Sequence, residues 1–248
     1  MKALRKIIFV IALIVFLVSA GYLARYFWIG HQSEQDFKSL RTEDGHDLKT
    51  LYKENSDLVG WIHIDDTRID YPVMQTKDDP EFYLRRSFRK EYQEAGTPFM
   101  DAYSDMDSSA NWIIYGHHMH NGTMFYDLLK YDDDEFYEKH RFIRFDTITN
   151  NGKTVEEGTY EVVAVFRSKV FTEDEDVFKY YHYAGIYDEY AYDDYVRNVK
   201  ALSIRDTGVT PVYDEQLITL STCEHSQKDG RYVLVARKVD AAEADKDE

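Results

Sequence analysis

Thr219-Leu220-Ser221-Thr222-Cys223-Glu224-His225, followed after a polar connection by Gly230-Arg231-Tyr232-Val233-Leu234-Val235, reads as strand, turn, strand. Both runs are rich in β-branched and aliphatic residues, and Asp229-Gly230 supplies turn chemistry between them. The first run carries the only cysteine of the chain to a strand end. If the two strands pair as a hairpin, Arg231 returns beside Cys223. A guanidinium there favours the thiolate and can stabilise the oxyanion formed when a thiol attacks a carbonyl. An arginine that merely opens an edge strand is the alternative reading of the same spacing.

Outward from this hairpin, strands dominate. Val59 to Ile64, Ile69 to Met74, Trp112 to Tyr115, Phe142 to Phe145, Thr159 to Lys169, Gln216 to Leu220 and Tyr232 to Val239 are short β-branched and aromatic runs bounded by Gly, Asp, Asn or Pro. Many short strands so spaced predict a barrel or sandwich. Helical spacing is predicted over Met124 to Tyr131, and over Ile186 to Leu202 through Tyr192, Tyr195, Val196, Val199 and Leu202. A further short helix is expected around Leu48, Leu51 and Tyr52, ended before Asn55-Ser56-Asp57. No internal repeat and no Pro-rich linker divides the chain, so one main domain is expected.

At the N-terminus Lys2, Arg5 and Lys6 precede an apolar run from Ile7 to Ala24, closed by Arg25. Eighteen residues just span a bilayer. The basic residues predict a cytoplasmic head (1–6), a transmembrane signal-anchor (7–28) with aromatics at the outer interface, and an extracytoplasmic remainder. Val18-Ser19-Ala20 also resembles a signal-peptide cleavage site, which would export the rest equally. Residues 29–47 read as a stalk or peripheral helix, 48–239 as the domain, and 240–248 as an acidic disordered tail.

With 46 acidic against 30 basic residues, the formal charge is −16. That repels a phosphate backbone and, without a basic patch, excludes nucleic acid as a partner. The acid concentrates in Asp132-Asp133-Asp134-Glu135, in Glu173-Asp174-Glu175-Asp176 and in the tail, read as solvated loops or disordered ends. An exported domain commonly pairs its cysteines, so a lone thiol there invites either a functional reading or that of a small buried hydrophobe.

A nucleophilic thiol needs an acid/base partner, usually histidine. Asn111-Trp112-Ile113-Ile114-Tyr115-Gly116 is a buried-looking strand ending in glycine, so His117 or His118 projects from a strand end. Spacing does not choose between them. His117, His118 and His120 with Cys223 and His225 also contain plausible zinc ligands. Adjacent histidines on an extended segment point to opposite sides, however, and neither Cys-x-x-Cys nor His-Glu-x-x-His is present, so no metal and no cofactor is expected.

These residues resemble a known family. Ile114-Tyr115-Gly116-His117-His118-Met119 with Gly122-x-Met124-Phe125, and Thr219-Leu220-Ser221-Thr222-Cys223-Glu224 with Arg231 eight positions beyond the cysteine, are similar to the motifs of class B sortases. Val59-Gly60-Trp61-Ile62, Ile69-Asp70-Tyr71-Pro72-Val73 and Gly96-x-x-Phe99-x-Asp101 support the likeness, which covers about Leu48 to Val239. The resemblance implies a mainly β fold, a closed eight-stranded sortase-type β-barrel with N-terminal helices and a long helix between two late strands. It implies a catalytic set of His117, Cys223 and Arg231, choosing His117 over His118. Tyr115, Ser221, Glu224 and Leu84 match positions lining the peptide groove, although Asp79-Pro80 replaces an expected Asp-Asn near Leu84.

By the same resemblance, the substrate is a secreted protein bearing a C-terminal sorting pentapeptide. It is cleaved after Thr through a thioester and transferred to the amine of a peptidoglycan precursor or cross-bridge. A thiol hydrolase using the same residues, and a non-catalytic membrane-tethered binding domain, are the competing classes.

Overall fold

The computed structural model describes residues 2–42 and 45–240, apart from the side chains of residues 26 and 29. The expected acidic tail therefore lies, beyond Asp240, outside the described residues. Helix α1 (Lys2–Lys38) is followed by α2 (Leu48–Glu54), whose first backbone amides are capped by Asp47. Strands β1 (Leu58–His63), β2 (Asp70–Met74), β3 (Phe99–Met100) and β4 (Asn111–Tyr115) come next. A 3-10 helix (Phe125–Asp132) and α3 (Asp134–Lys139) lead into β5 (Phe142–Thr149), β6 (Thr154–Glu156) and β7 (Thr159–Lys169). The chain closes with α4 (Glu189–Leu202), β8 (Leu217–Cys223) and β9 (Gly230–Val239).

Strand pairing runs β1-β2-β3-β4-β8-β9-β7-β5, and β1 pairs again with β5, so eight strands form a ring. The ninth, β6, is fully exposed and attached only to β5. Side-chain alternation explains the two apolar layers. On β4, Trp112 and Ile114 join the main core with Trp61, Phe145, Leu220 and Leu234. Ile113 instead joins Val163, Leu217 and Val233 against the buried face of α4. That face is Tyr192, Tyr195, Val196 and Val199, as expected, whereas Leu202, the last position of the expected stripe, ends the helix exposed. The helix starts three residues later than Ile186, because Ile186 gives its carbonyl to Ala110 and the Asp188 side chain caps Ala191.

The expected long helix between late strands is thus present, as α4 between β7 and β8. The first acidic run is not simply a solvated loop. Asp133 caps α3 by accepting from Phe136, Asp134 and Glu135 occupy its first turn, and Asp132 binds Arg167 and the Tyr232 hydroxyl. Within the segment expected as a stalk, Phe37 and Leu40 are buried in the same core as Leu48 and Leu51. Helix α1 is long and apolar enough to cross a membrane.

A buried polar chain locks α4 to the site-bearing strands. Tyr195 meets the Thr219 hydroxyl at 2.6 Å, Thr219 donates to Asn111 at 2.9 Å, and Asn111 donates to the Tyr183 carbonyl at 3.1 Å. Thr219→Val keeps the shape and strands two polar partners, and is expected to cost about 2–4 kcal/mol of unfolding free energy. A urea denaturation curve checks this; an unchanged midpoint would count against the chain as a structural lock.

Candidate active site

Strands β4 and β8 are parallel neighbours, with Tyr115 opposite Ser221. Two residues further along each chain stand His117 and Cys223, so parallel register delivers both to the same rim of the ring. Gly116 continues the pairing by donating to the Ser221 carbonyl at 3.1 Å. A Cβ at Gly116 would lie 2.6 Å from the Phe125 ring, so the close packing of Phe125 against the chain just before His117 requires glycine. β8 and β9 are antiparallel and Cys223 faces Arg231 directly. Such cross-strand neighbours hold their Cβ atoms about 4.5–5.5 Å apart.

These three residues line one cavity of about 450 Å³ with Tyr115, Ser221 and Leu84. Of the residues expected at the site from the sequence, Glu224 alone does not line it. Its carboxylate accepts from the Ser226 amide at 2.8 Å and the Ser226 hydroxyl at 2.6 Å. Burial raises the Glu224 pKa, but these bonds, with Arg167 and His225, outweigh it and hold the carboxyl below its usual range.

The Leu84 carbonyl lies 2.9 Å from His117 Nε2, which donates to it. Burial pushes the His117 pKa below its usual value, the Leu84 bond only partly opposing this. The ring is therefore neutral near pH 7, with Nδ1 available as the basic nitrogen. Cys223 is half-buried and unpaired. Arg231 turns its guanidinium onto the Gly230 and Asp229 carbonyls at 2.9 and 3.3 Å.

Tyr115 donates to Asp101 at 2.9 Å, and burial drives its phenol far above the ordinary range. Ser221 is bound at 2.7 Å by Tyr180, whose pKa burial pushes up to about 12. Tyr180, Tyr181 and His182, on a 3-10 helix of the β7–β8 crossover, form a wall of the cavity that the sequence reading missed. The aromatic run Phe178 to Tyr183 is the signal that could have found it. The adjacent histidines separate: His118 does not line the cavity but stacks on Tyr126, ring centres 4.8 Å apart. Among the described residues, no group of three or more His, Cys, Asp or Glu is arranged to hold a metal ion.

A strand-end thiol facing an arginine, with a neutral imidazole on the neighbouring strand, can perform acyl transfer. Comparison with known proteins agrees. The Sortase domain family matches residues 62–239. Sortase B of Listeria monocytogenes is 34% identical over 198 residues, covering 78% of this chain and 74% of that protein. Sortase B of Staphylococcus aureus is 30% identical over 242 residues, covering 92% and 93%. Among solved structures, a Staphylococcus aureus sortase B–substrate complex superposes with a TM-score of 0.67 at 27% identity, covering 85% of this chain and 94% of that one. Clostridium perfringens sortase B superposes with a TM-score of 0.65 at 26% identity, covering 78% and 100%. The chain belongs to the sortase family, whose members are cysteine transpeptidases. Within that family its likeness is to class B.

Proposed function

We propose that this chain is a membrane-anchored transpeptidase that cleaves a C-terminal sorting signal after threonine and joins the new carboxyl end to a cell-wall amine. One observation carries the reading: Cys223 directly opposite Arg231, with His117 at the matching point of the parallel neighbour, all on one cavity. In this reading the ring of eight strands is a closed barrel whose rim holds the site.

The neutral His117 takes the thiol proton as Cys223 Sγ attacks the threonine carbonyl. Arg231, with one nitrogen on the Gly230 and Asp229 carbonyls, directs its remaining donors to the developing oxyanion. The C–N bond breaks, the proton passes from His117 to the departing amine, and a thioester remains. An incoming wall amine then attacks the thioester carbonyl, gives a proton to His117, and expels the thiolate. Leu84 holds the His117 ring through its carbonyl, while Tyr115, Ser221 and the Tyr180 wall contact the pentapeptide. Glu224, adjacent to Cys223 but with its carboxylate held by Ser226 outside the cavity, is assigned no contact with the pentapeptide.

The basic residues before the apolar part of α1 support an extracytoplasmic catalytic body and a cytoplasmic N-terminus. Full-length protein in detergent, given a sorting peptide with and without an added amine, tests the acceptor. The expected result is an amide product that grows with amine concentration. Cleavage that yields only free acid at saturating amine would leave a thiol hydrolase instead.

A further inference from the structure

His118 and His120 lie two residues apart on the connection leaving β4, and neither lines the cavity that His117 lines. His225 reaches the same place from the β8–β9 connection. The three imidazoles form a triangle. Ring centres are 5.4 Å apart for His118 and His225, 5.9 Å for His118 and His120, and 5.3 Å for His120 and His225. Beneath them His118 is half-buried on Tyr126, with its Nδ1 enclosed and without a hydrogen-bond partner. His120 and His225 are exposed.

We propose that this triangle is a clasp that holds the connection carrying His117 against the connection that follows Cys223 while His118 is neutral, and that protonation of His118 opens it. The three histidines are positioning residues, acting through the two segments they join. Their catalytic consequence rests on the reading of His117 and Cys223 as the reacting pair.

Rings at these separations pack in edge-on and tilted contacts, and a proton on half-buried His118 puts a charge among them with its enclosed Nδ1 unpartnered. Facing His118 are His120 from its own segment, His225 and Glu224 from the β8–β9 connection, and Tyr126 from the 3-10 helix. Glu224 would favour a charged His118, yet its carboxylate is already engaged by Ser226. Burial first, then His225 and His120, lower the His118 pKa. A histidine held low favours the closed arrangement while neutral. That contribution is complete above the free-histidine value of about 6.5 and falls away as pH drops below it.

Hydrogen exchange on the full-length protein in detergent, read at pH 7.5 and pH 5.5 and corrected for intrinsic rates, tests the clasp without reference to turnover. Segments 117–125 and 223–230 are expected to open at least about threefold more often at the lower pH, relative to the ring core. In the double variant H120Q/H225Q that difference is expected to fall at least about twofold, the burial of His118 keeping the remainder. Equal opening at both pH values in the wild type, or a dependence undiminished in the double variant, would overturn the proposal.

A parallel kcat/KM series with a sorting peptide reads the positioning role. The double variant is expected to keep more of its pH 7.5 activity at pH 5.5 than the wild type does. Identical acid limbs despite pH-dependent opening would overturn that role. Absence of peptide turnover at every pH would instead defeat the transpeptidase reading, and the exchange data would still decide the clasp.

Discussion

Cys223→Ala is expected to abolish acyl-enzyme formation and lower kcat/KM for a sorting peptide by at least about 10⁴-fold, because loss of a covalent nucleophile removes the whole two-step route. No second thiol exists to substitute for it. The fold is expected to survive. Cys223 is half-buried at the last position of β8, its pairing with Arg231 is made by backbone, and alanine retains the Cβ. Thermal or urea unfolding is expected to move by less than about 1 kcal/mol. Intact-mass spectrometry after mixing with peptide provides the direct check: wild type gains the acyl mass and the variant does not. A mass adduct on the variant, or turnover above a few per cent of wild type, would remove Cys223 from its role.

Arg231→Lys is expected to cost about 10²–10³ in kcat, or roughly 2.7–4 kcal/mol of transition-state stabilisation, the usual loss of one oxyanion donor. The charge is preserved, so a purely electrostatic effect on the thiol would survive the exchange. What disappears is the planar fork. Arg231 holds the Gly230 and Asp229 carbonyls at rest and can present its remaining donors across the strand to a carbonyl on Cys223. A lysine ammonium on its flexible stem cannot keep that spacing. Pre-steady-state acylation, with the iodoacetamide reactivity of Cys223 as a control, separates the two effects. Unchanged alkylation with slowed acylation is the expected pattern, and wild-type acylation by Arg231→Lys would return the arginine to a structural role.

Much of the fold could be read directly because its signals are local. Thr159 to Lys169 appears as β7 with the same limits, and the stripe Tyr192, Tyr195, Val196, Val199 is the buried face of α4. Such segments carry their own periodicity, and burial only has to agree with it. Strand β3 escaped because two residues carry no periodicity; Phe99 and Met100 become a strand only by lying between Met74 and the end of β4. Strand β6 escaped because all three of its residues are exposed, so no apolar face marks it. Helix α3 escaped because acidic residues that cap and begin a helix look, in sequence, like those of a solvated loop.

The site divides along the same physical line. The sequence by itself determined that one cysteine ends a strand, that an arginine opens the next, and that a glycine precedes a histidine at a third strand end. Those are properties of short segments, where side-chain alternation and turn chemistry act within a few residues. Only the tertiary structure decided that β4 and β8 lie parallel in a register bringing His117 and Cys223 to one rim. It also decided that His118 stays off the cavity and packs with His120 and His225, that Glu224 is held by Ser226 outside the cavity, and that Tyr180 and Tyr181 complete the wall. Pairing between residues more than a hundred positions apart is chosen by which apolar faces can be buried together, a property of the whole ring that no single segment contains.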